Sequence, residues 1–366
     1  MNSAIPVADN DPRRESVRTW LAENPNPSPK DIASAGFVAP HWPTPWGHAA
    51  DAMTQLIIED ELRRAGVSIP LNPNAILFTG PSLLIGGTPA QQARYLPPML
   101  AGEELWCRLY SEPDAGSDLT EIRTRAEKRG DAFVVNGGKL WAPLAQVAAL
   151  GGLLVRTSGK PGDKDGLTYL ICPMDLPGIT LRRIRDLAGG YRFNEIFFDG
   201  VEIPVENLVG EQDAGLLVAE SRSRLERVSL ARGAAFGNGP GANDLIDYAK
   251  RRGVHLSPSM RQRLTSAYID SELLRMMAIS IAHSRELGME TGMSEKARKI
   301  LLERHGQALG FLACDLLGAQ GMLTPDPDKP EDTAWHHAFL SAPSITIGAG
   351  TTEVQLDELG RQLLKS

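Results

Sequence analysis

The sequence predicts an α+β protein of several modules, in which a helical segment, an antiparallel β segment and a second helical segment follow one another. Apolar residues recur with helical spacing up to about Gly102, and short β-branched runs bounded by turn dipeptides take over from about Glu103. Long helical periodicity returns after about Gly215. A chain of 366 residues is also longer than one hydrophobic core usually serves, so division into modules is expected.

In the first segment, ADAMTQLIIEDELRRAG puts Met53, Leu56, Ile57 and Leu62 on one helical face and charged residues on much of the other. The Pro-rich stretch from Asn24 to Pro29 separates helices. In the middle segment, DAFVVNGGKLWA carries an Asn136-Gly137 hairpin signal, and GLTYLICPM, ITLRRI and NEIFFDGVEIP read as further strands. In the third, RQRLTSAYIDSELLRMMAISIAHSREL, SEKARKILLERHGQALGFLACDLLG and TTEVQLDELGRQLL read as helices of a bundle. The expected modules are residues 1–103, 104–215 and 216–366. Clefts where such modules meet are favoured ligand sites.

Composition narrows the function. A net charge of −7 argues against nucleic acid as the main partner, because phosphate binding is driven by clustered Lys and Arg. Cys107, Cys172 and Cys314 are far apart and form no CxxC pair, so neither a disulfide framework nor a zinc site is expected. The His336-His337 pair beside Trp335 lacks companion ligands, which makes surface or interface histidines the expectation and a metal site not. The N-terminus lacks the apolar core of a signal peptide, and no apolar run is long enough to cross a bilayer, so a cytoplasmic protein is expected.

Two places carry chemistry by residue type. Ala115-Gly116-Ser117 after Pro113 makes a tight loop whose backbone N–H groups can address a polar ligand edge, with a plain turn as the alternative. The helix opening Thr351-Thr352-Glu353 offers N–H groups that favour phosphate.

The segment LWCRLYSEPDAGSDLTEIRTRA, Leu105 to Ala126, closely resembles the signature of acyl-CoA dehydrogenases: a small or polar residue, Glu-Pro, then Ala-Gly-Ser-Asp. GDAFVVNGGKLWA, FFDGVEIPVENLVGE, LERVSLARG and TIGAGTTEVQ follow in the family's order. With PHWPTPWG and GPSLLIGGTPAQQARYLPPMLAGEE upstream, the resemblance runs from about Gly36 to about Gln355. It implies an N-terminal helical domain, a central antiparallel β-barrel or sandwich domain and a C-terminal four-helix bundle, with FAD between the β domain and the bundle. It also implies α,β-dehydrogenation of an acyl-CoA, with electrons passing to an electron-transfer flavoprotein, in fatty acid or steroid degradation.

Residue by residue, the resemblance makes Leu109, Ser111, Gly116 and Ser117 flavin or substrate contacts and lays Trp141 on the outer face of the flavin. A buried core tryptophan is the alternative for Trp141. Arg252, Gly318, Thr351 and Glu353 fall in the cofactor site, and Ser117, Arg224 and Arg227 in the substrate site. The base takes the proton α to the thioester, and an apolar pocket strengthens a carboxylate for that work. Many members carry it where this chain has Ala349; others carry it in a Leu-Glu-Arg pattern, which makes Glu226 the candidate, with a solvated Glu-Arg face as the alternative.

Three positions depart from the pattern. Pro143 stands where a Ser or Thr usually donates to the flavin, and proline has neither hydroxyl nor N–H. Arg251 and Arg252 are not followed by the Phe-Gly that helps hold the adenosine half, and Asp315 brings negative charge to the other stretch that does so. These departures open two further readings: a half-site or non-catalytic subunit of a hetero-oligomer, instead of a homo-oligomeric dimer of dimers, or a flavin oxidase or tailoring enzyme on the same scaffold.

Overall fold

Side-chain caps begin the first helices. Asp11 accepts from the Arg13 N–H and Pro12 takes the first helical position of α1, Pro12–Glu23. Ser28 and Asp31 form a capping box on α2, Pro29–Ser34. Next come α3 (Ala52–Arg64), a π-helix (Ala75–Thr79), α4 (Gly80–Gly86) and α5 (Pro89–Leu100), the last opened by a Thr88–Gln91 capping box. This computed structural model describes residues 8–70, 72, 74–220, 241–322, 330–348 and 350–364.

In α3 the predicted apolar face is buried at Met53, Leu56, Ile57 and Leu62. The charged residues beyond it are not all solvated: Asp60 and Glu61 are buried together with Arg14 of α1. Arg14 Nη1 lies 2.9 Å from Asp60, Arg64 3.0 Å from Asp60 and Arg18 3.0 Å from Glu61. An uncompensated buried charge costs several kcal/mol, so these carboxylates tolerate burial because guanidinium groups surround them.

The middle segment forms one sheet from β1 (Trp106–Leu109), β2 (Arg125–Arg129), β3 (Ala132–Pro143), β4 (Leu150–Arg156), β5 (Leu167–Pro173), β6 (Ile179–Ile184), β7 (Phe193–Pro204) and β8 (Leu208–Val209). The strand order is β6-β7-β3-β2-β4-β5-β8, with β1 beside β4. Most pairings are antiparallel, but β1 and β2 both run parallel to β4, so the sheet is mixed.

Asn136-Gly137 does not make the expected hairpin turn. The β2–β3 hairpin reverses at Gly130-Asp131, and Asn136-Gly137 lies inside β3 where the register with β7 shifts. Gly137 has φ +139°, and the Asn136 side chain accepts from the Gly200 N–H at 2.8 Å. The glycine therefore serves a close backbone approach within a strand.

Two compact units result, residues 1–50 with 57–227 and residues 51–56 with 228–366. In the first, the sheet and the helical layer share a core that includes Ile58, Leu62, Leu96, Trp106, Tyr110, Leu154 and Tyr169. The short helix α6, Gly215–Ala219, belongs to this unit.

The second unit holds α7 (Ala242–Arg251), α8 (Pro258–Glu286), α9 (Gly292–Leu317), α10 (Pro330–Ser341) and α11 (Thr352–Leu363). Helix α9 packs on the other four, and Leu245, Tyr248, Leu264, Leu309, Leu312 and Trp335 form the core. His336 is buried beside Trp335 rather than on the surface, because α10 packs against α9.

Candidate active site

The signature loop is fixed from beneath by a buried ion pair. Lys139, wholly buried in β3, reaches Glu112 at 2.7 Å and donates to the Tyr110 carbonyl at 3.0 Å. Glu112 also accepts from the Arg123 and Thr124 N–H groups at 2.7 and 3.0 Å. Burial pulls Lys139 down to about 8 even though Glu112 opposes it. Burial also pushes Glu112 up, but the Lys139 charge and the surrounding donors win and hold it below the usual carboxylate range. The donors gathered on Glu112 and the Lys139 ammonium beside it favour the ion-paired form.

Above this anchor, Glu112 and Ala115 exchange backbone hydrogen bonds across the Pro113-Asp114 turn. The Ala115 N–H is thus committed, whereas those of exposed Gly116 and Ser117 have no partner among the described residues. A Cβ on Gly116 would meet only open space. Asp118 closes the loop by accepting from the Thr120 N–H at 2.9 Å.

Trp141 owes its exposure to a second register shift. Between Lys139 and Ala142, β3 has one residue more than β7, so both of these point inward and Trp141 turns out. It sits at φ +59° and 53% exposed, edge-on to Phe193 with ring centroids 6.0 Å apart. It is not a core tryptophan.

Leu140 N–H donates to the Ser111 carbonyl at 2.8 Å, tying this strand end to the signature. Asn74, just before the π-helix, donates to the Pro143 carbonyl at 3.3 Å. Ser111, Trp141 and Pro143 thus converge on one corner of the first unit, and Gly116 and Ser117 stand in the loop beside it, whereas the Leu109 side chain is wholly buried in the core on one side of the sheet. An exposed rigid aromatic next to a loop with unpartnered N–H groups fits a flat heteroaromatic ring with polar edges. Pro143 offers such a ring no donor.

The remaining expected residues stand at helix ends in the second unit. Arg252 caps the end of α7 and lies over the Tyr248 ring, 5.6 Å from its centroid. Gly318 caps α9 at φ +59°. Thr351 caps α11, accepting from Val354 N–H at 3.3 Å, and Glu353 lies exposed in its first turn. Asp315 is paired with Arg263 at 2.6 Å, so its charge is offset. Glu226, Arg224, Arg227 and Ala349 lie outside the described residues.

Sequence reasoning passed over three groups that the structure brings forward. Lys139 was signalled by its place in the alternation begun by Phe133 and Val135. Glu303, buried in α9, accepts from Thr352 at 2.6 Å and pairs with Lys299, which also donates to the Gly350 carbonyl, so it tethers the opening of α11. Arg108 of β1 stacks on Phe78 of the π-helix, 4.1 Å from the ring centroid.

Sequence models of the acyl-CoA dehydrogenase N-terminal, middle and C-terminal domains match residues 11–103, 107–201 and 213–364. The acyl-CoA dehydrogenase IpdE1 of Mycobacterium tuberculosis is 32% identical over 334 residues, covering 91% of this chain and 86% of IpdE1. The chain belongs to the acyl-CoA dehydrogenase family. This family of oxidoreductases acts on acyl-CoA and is generally flavin dependent.

The acyl-CoA dehydrogenase FadE34 of the same organism is also 32% identical, over 91% of this chain, but the chain spans only 45% of its length. Among solved structures, the ChsE4-ChsE5 complex from Mycobacterium tuberculosis contains a chain with TM-score 0.79 and 27% identity, covered 99% by 100% of this one. The Tcur3481-Tcur3483 steroid ACAD gives TM-score 0.80 at 25% identity, with the same coverage. Among the described residues no helix is long and apolar enough to cross a membrane, and no cluster of metal-ligating side chains occurs.

Proposed function

We propose that this chain catalyses α,β-dehydrogenation of an acyl-CoA thioester, with Glu226 taking the α-proton. The observation that carries this reading is the corner where Trp141 is turned outward beside the signature loop anchored by Lys139 and Glu112. FAD, when bound, supplies the hydride acceptor. Leu109, Ser111, Gly116, Ser117 and Trp141 would hold its ring, while Arg252, Gly318, Thr351 and Glu353 would serve its adenosine and phosphate portion. Ser117, Arg224 and Arg227 would bind the thioester and its CoA arm. Glu226 rests on the Leu-Glu-Arg pattern and on Ala349, which has no carboxylate to offer.

The substrate class that suits the relatives is a fatty or steroid-derived acyl-CoA, with an electron-transfer flavoprotein receiving the electrons in the cytoplasm. A hetero-oligomer is the favoured assembly, since two similar structures are named for two different chains. The half-site reading stays in play because Pro143 supplies no donor; Asp315 supports it less, being offset by Arg263.

Glu226→Gln tests the assignment. Turnover of acyl-CoA with an artificial electron acceptor is expected to vanish while flavin content and circular dichroism remain those of the parent. Full activity in the variant overturns the role of Glu226. Co-expression with a homologous subunit, followed by native mass measurement, tests the assembly, and a flavin-loaded homotetramer purified alone excludes the half-site reading.

A further inference from the structure

Strand β4 ends on Arg156, whose side chain is wholly buried. A guanidinium carries five N–H donors, and here every one meets a backbone carbonyl. Nε donates to Ile122 at 3.0 Å, Nη1 to Ser158 at 3.3 Å and Asp165 at 3.1 Å, and Nη2 to Thr120 at 2.6 Å and Asp163 at 3.2 Å. A buried charge must be compensated, and carbonyl dipoles do so at this site.

The five carbonyls belong to two segments. Ser158, Asp163 and Asp165 lie in the loop between β4 and β5, and a side chain that only closed that loop would need nothing more. Thr120 and Ile122 lie instead at the 3-10 turn Leu119–Glu121, the leg by which the chain leaves the signature loop.

Two opposed grips hold that leg. Glu112 accepts from its N–H groups at Arg123 and Thr124, and Arg156 donates to its carbonyls at Thr120 and Ile122. Thr120 is the link back to the loop. Its carbonyl accepts from Arg156 and also from the Gly162 N–H at 2.9 Å, while its own N–H donates to Asp118, next to Ser117. Gly116 and Ser117 therefore stand between the Glu112–Ala115 bridge and a Thr120 fixed by Arg156. Binding groups work only when supporting hydrogen bonds hold them within about 0.5 Å of their working geometry.

We infer that Arg156 is a positioning residue: by fixing Thr120 it presets the Gly116 and Ser117 N–H groups for the polar edge of the flavin. The identity of that ligand rests on the dehydrogenase reading, whereas the clamp on the loop does not.

The test uses the protein in the assembly in which it purifies and compares the parent with two variants. Arg156→Lys keeps the charge but brings three donors to five carbonyls. Asp163→Ala is the control, since it removes the carboxylate that accepts from the Lys160 N–H at 3.0 Å and leaves every acceptor of Arg156 in place. Two quantities are read, the Kd for FAD by fluorescence quenching and amide hydrogen exchange by mass spectrometry. In Arg156→Lys the Kd is expected to rise by about tenfold, the scale of one or two hydrogen bonds made less well, and exchange to quicken across residues 116–122. In Asp163→Ala the Kd should change by less than about twofold, with faster exchange confined to residues 157–166. In the parent, exchange at residues 120–124 is expected to be slow before FAD is added.

An unchanged Kd in Arg156→Lys, faster exchange in that variant confined to residues 157–166, or an equal loss of affinity in Asp163→Ala overturns the inference. So does a parent in which residues 120–124 become protected only when FAD is added, a measurement that stands even if the lysine variant does not fold. Turnover of acyl-CoA is measured alongside. Affinity lost in Arg156→Lys with no turnover in the parent overturns the dehydrogenase reading and leaves this inference standing, and turnover in the parent with affinity unchanged in the variant does the reverse. A parent that takes up no FAD overturns both.

Discussion

Glu112 and Lys139 are 2.7 Å apart, almost without solvent, and between them they join the signature loop to the strand that carries Trp141. Removing one partner leaves the other charge buried alone. Glu112→Gln is therefore expected to destabilise the fold by about 3–5 kcal/mol in denaturant titrations, since glutamine also keeps only one acceptor for the Arg123 and Thr124 N–H groups, which Glu112 meets with different oxygens. The double variant Glu112→Gln with Lys139→Met removes the orphaned charge and should recover a large part of that loss. If the single and double variants are equally unstable, loop packing and not the ion pair is responsible.

Gly137 has a different kind of necessity. A Cβ there would lie 2.7 Å from the Thr124 Cα, and φ +139° is itself strained for any side chain. Gly137→Ala is expected to cost about 1–3 kcal/mol in chemical denaturation. Gly200→Ala is a useful contrast, since its φ is also positive but nothing lies within 4 Å of its Cβ. Its cost should be that of the left-handed backbone alone, about 1 kcal/mol, with no steric contact added.

The order of segments and the signature loop were legible in the sequence because each depends on local pattern. The apolar face of α3 shows the same legibility, residue for residue. What sequence patterning missed depends on pairing between distant strands. Strict alternation along β3 carries Phe133, Val135 and Lys139 inward and would carry Trp141 with them; the extra residue opposite β7 reverses this, and nothing local announces it. Asn136-Gly137 misled for the same reason, since a glycine that permits close approach within a strand reads like one that permits a turn. Asp315 looked repulsive in isolation, and its partner Arg263 lies 52 residues away in sequence.

His305 in α9 makes stability depend on pH. Burial lowers its basicity although Asp270 opposes the change, and its Nε2 lies 2.7 Å from the Ser271 hydroxyl. As pH falls through the ordinary value of 6.5, the unfolded chain takes up this proton before the folded one does, so stability drains away toward acid. His305→Gln keeps a polar partner for Ser271 and removes the titration. The fall in Tm between about pH 7.5 and about pH 5.5 is expected to be smaller in the variant. An unchanged fall would assign the acid sensitivity elsewhere.

Pro143 offers the sharpest test of how well this chain holds flavin by itself. Its carbonyl already accepts from Asn74, a contact that any residue at 143 can keep, so Pro143→Thr alters the edge facing the corner without cutting that tie. Threonine restores a hydroxyl and an N–H. One added hydrogen bond contributes about 0.5–1.5 kcal/mol, so the Kd for FAD, read by fluorescence quenching, is expected to fall by about two- to tenfold. Such a gain identifies the proline as the weak point of the ring site and favours flavin bound on this chain. If Pro143→Thr binds no more flavin than the parent while the fold is intact, the limitation lies at the adenosine end, and the half-site reading gains at the expense of autonomous catalysis.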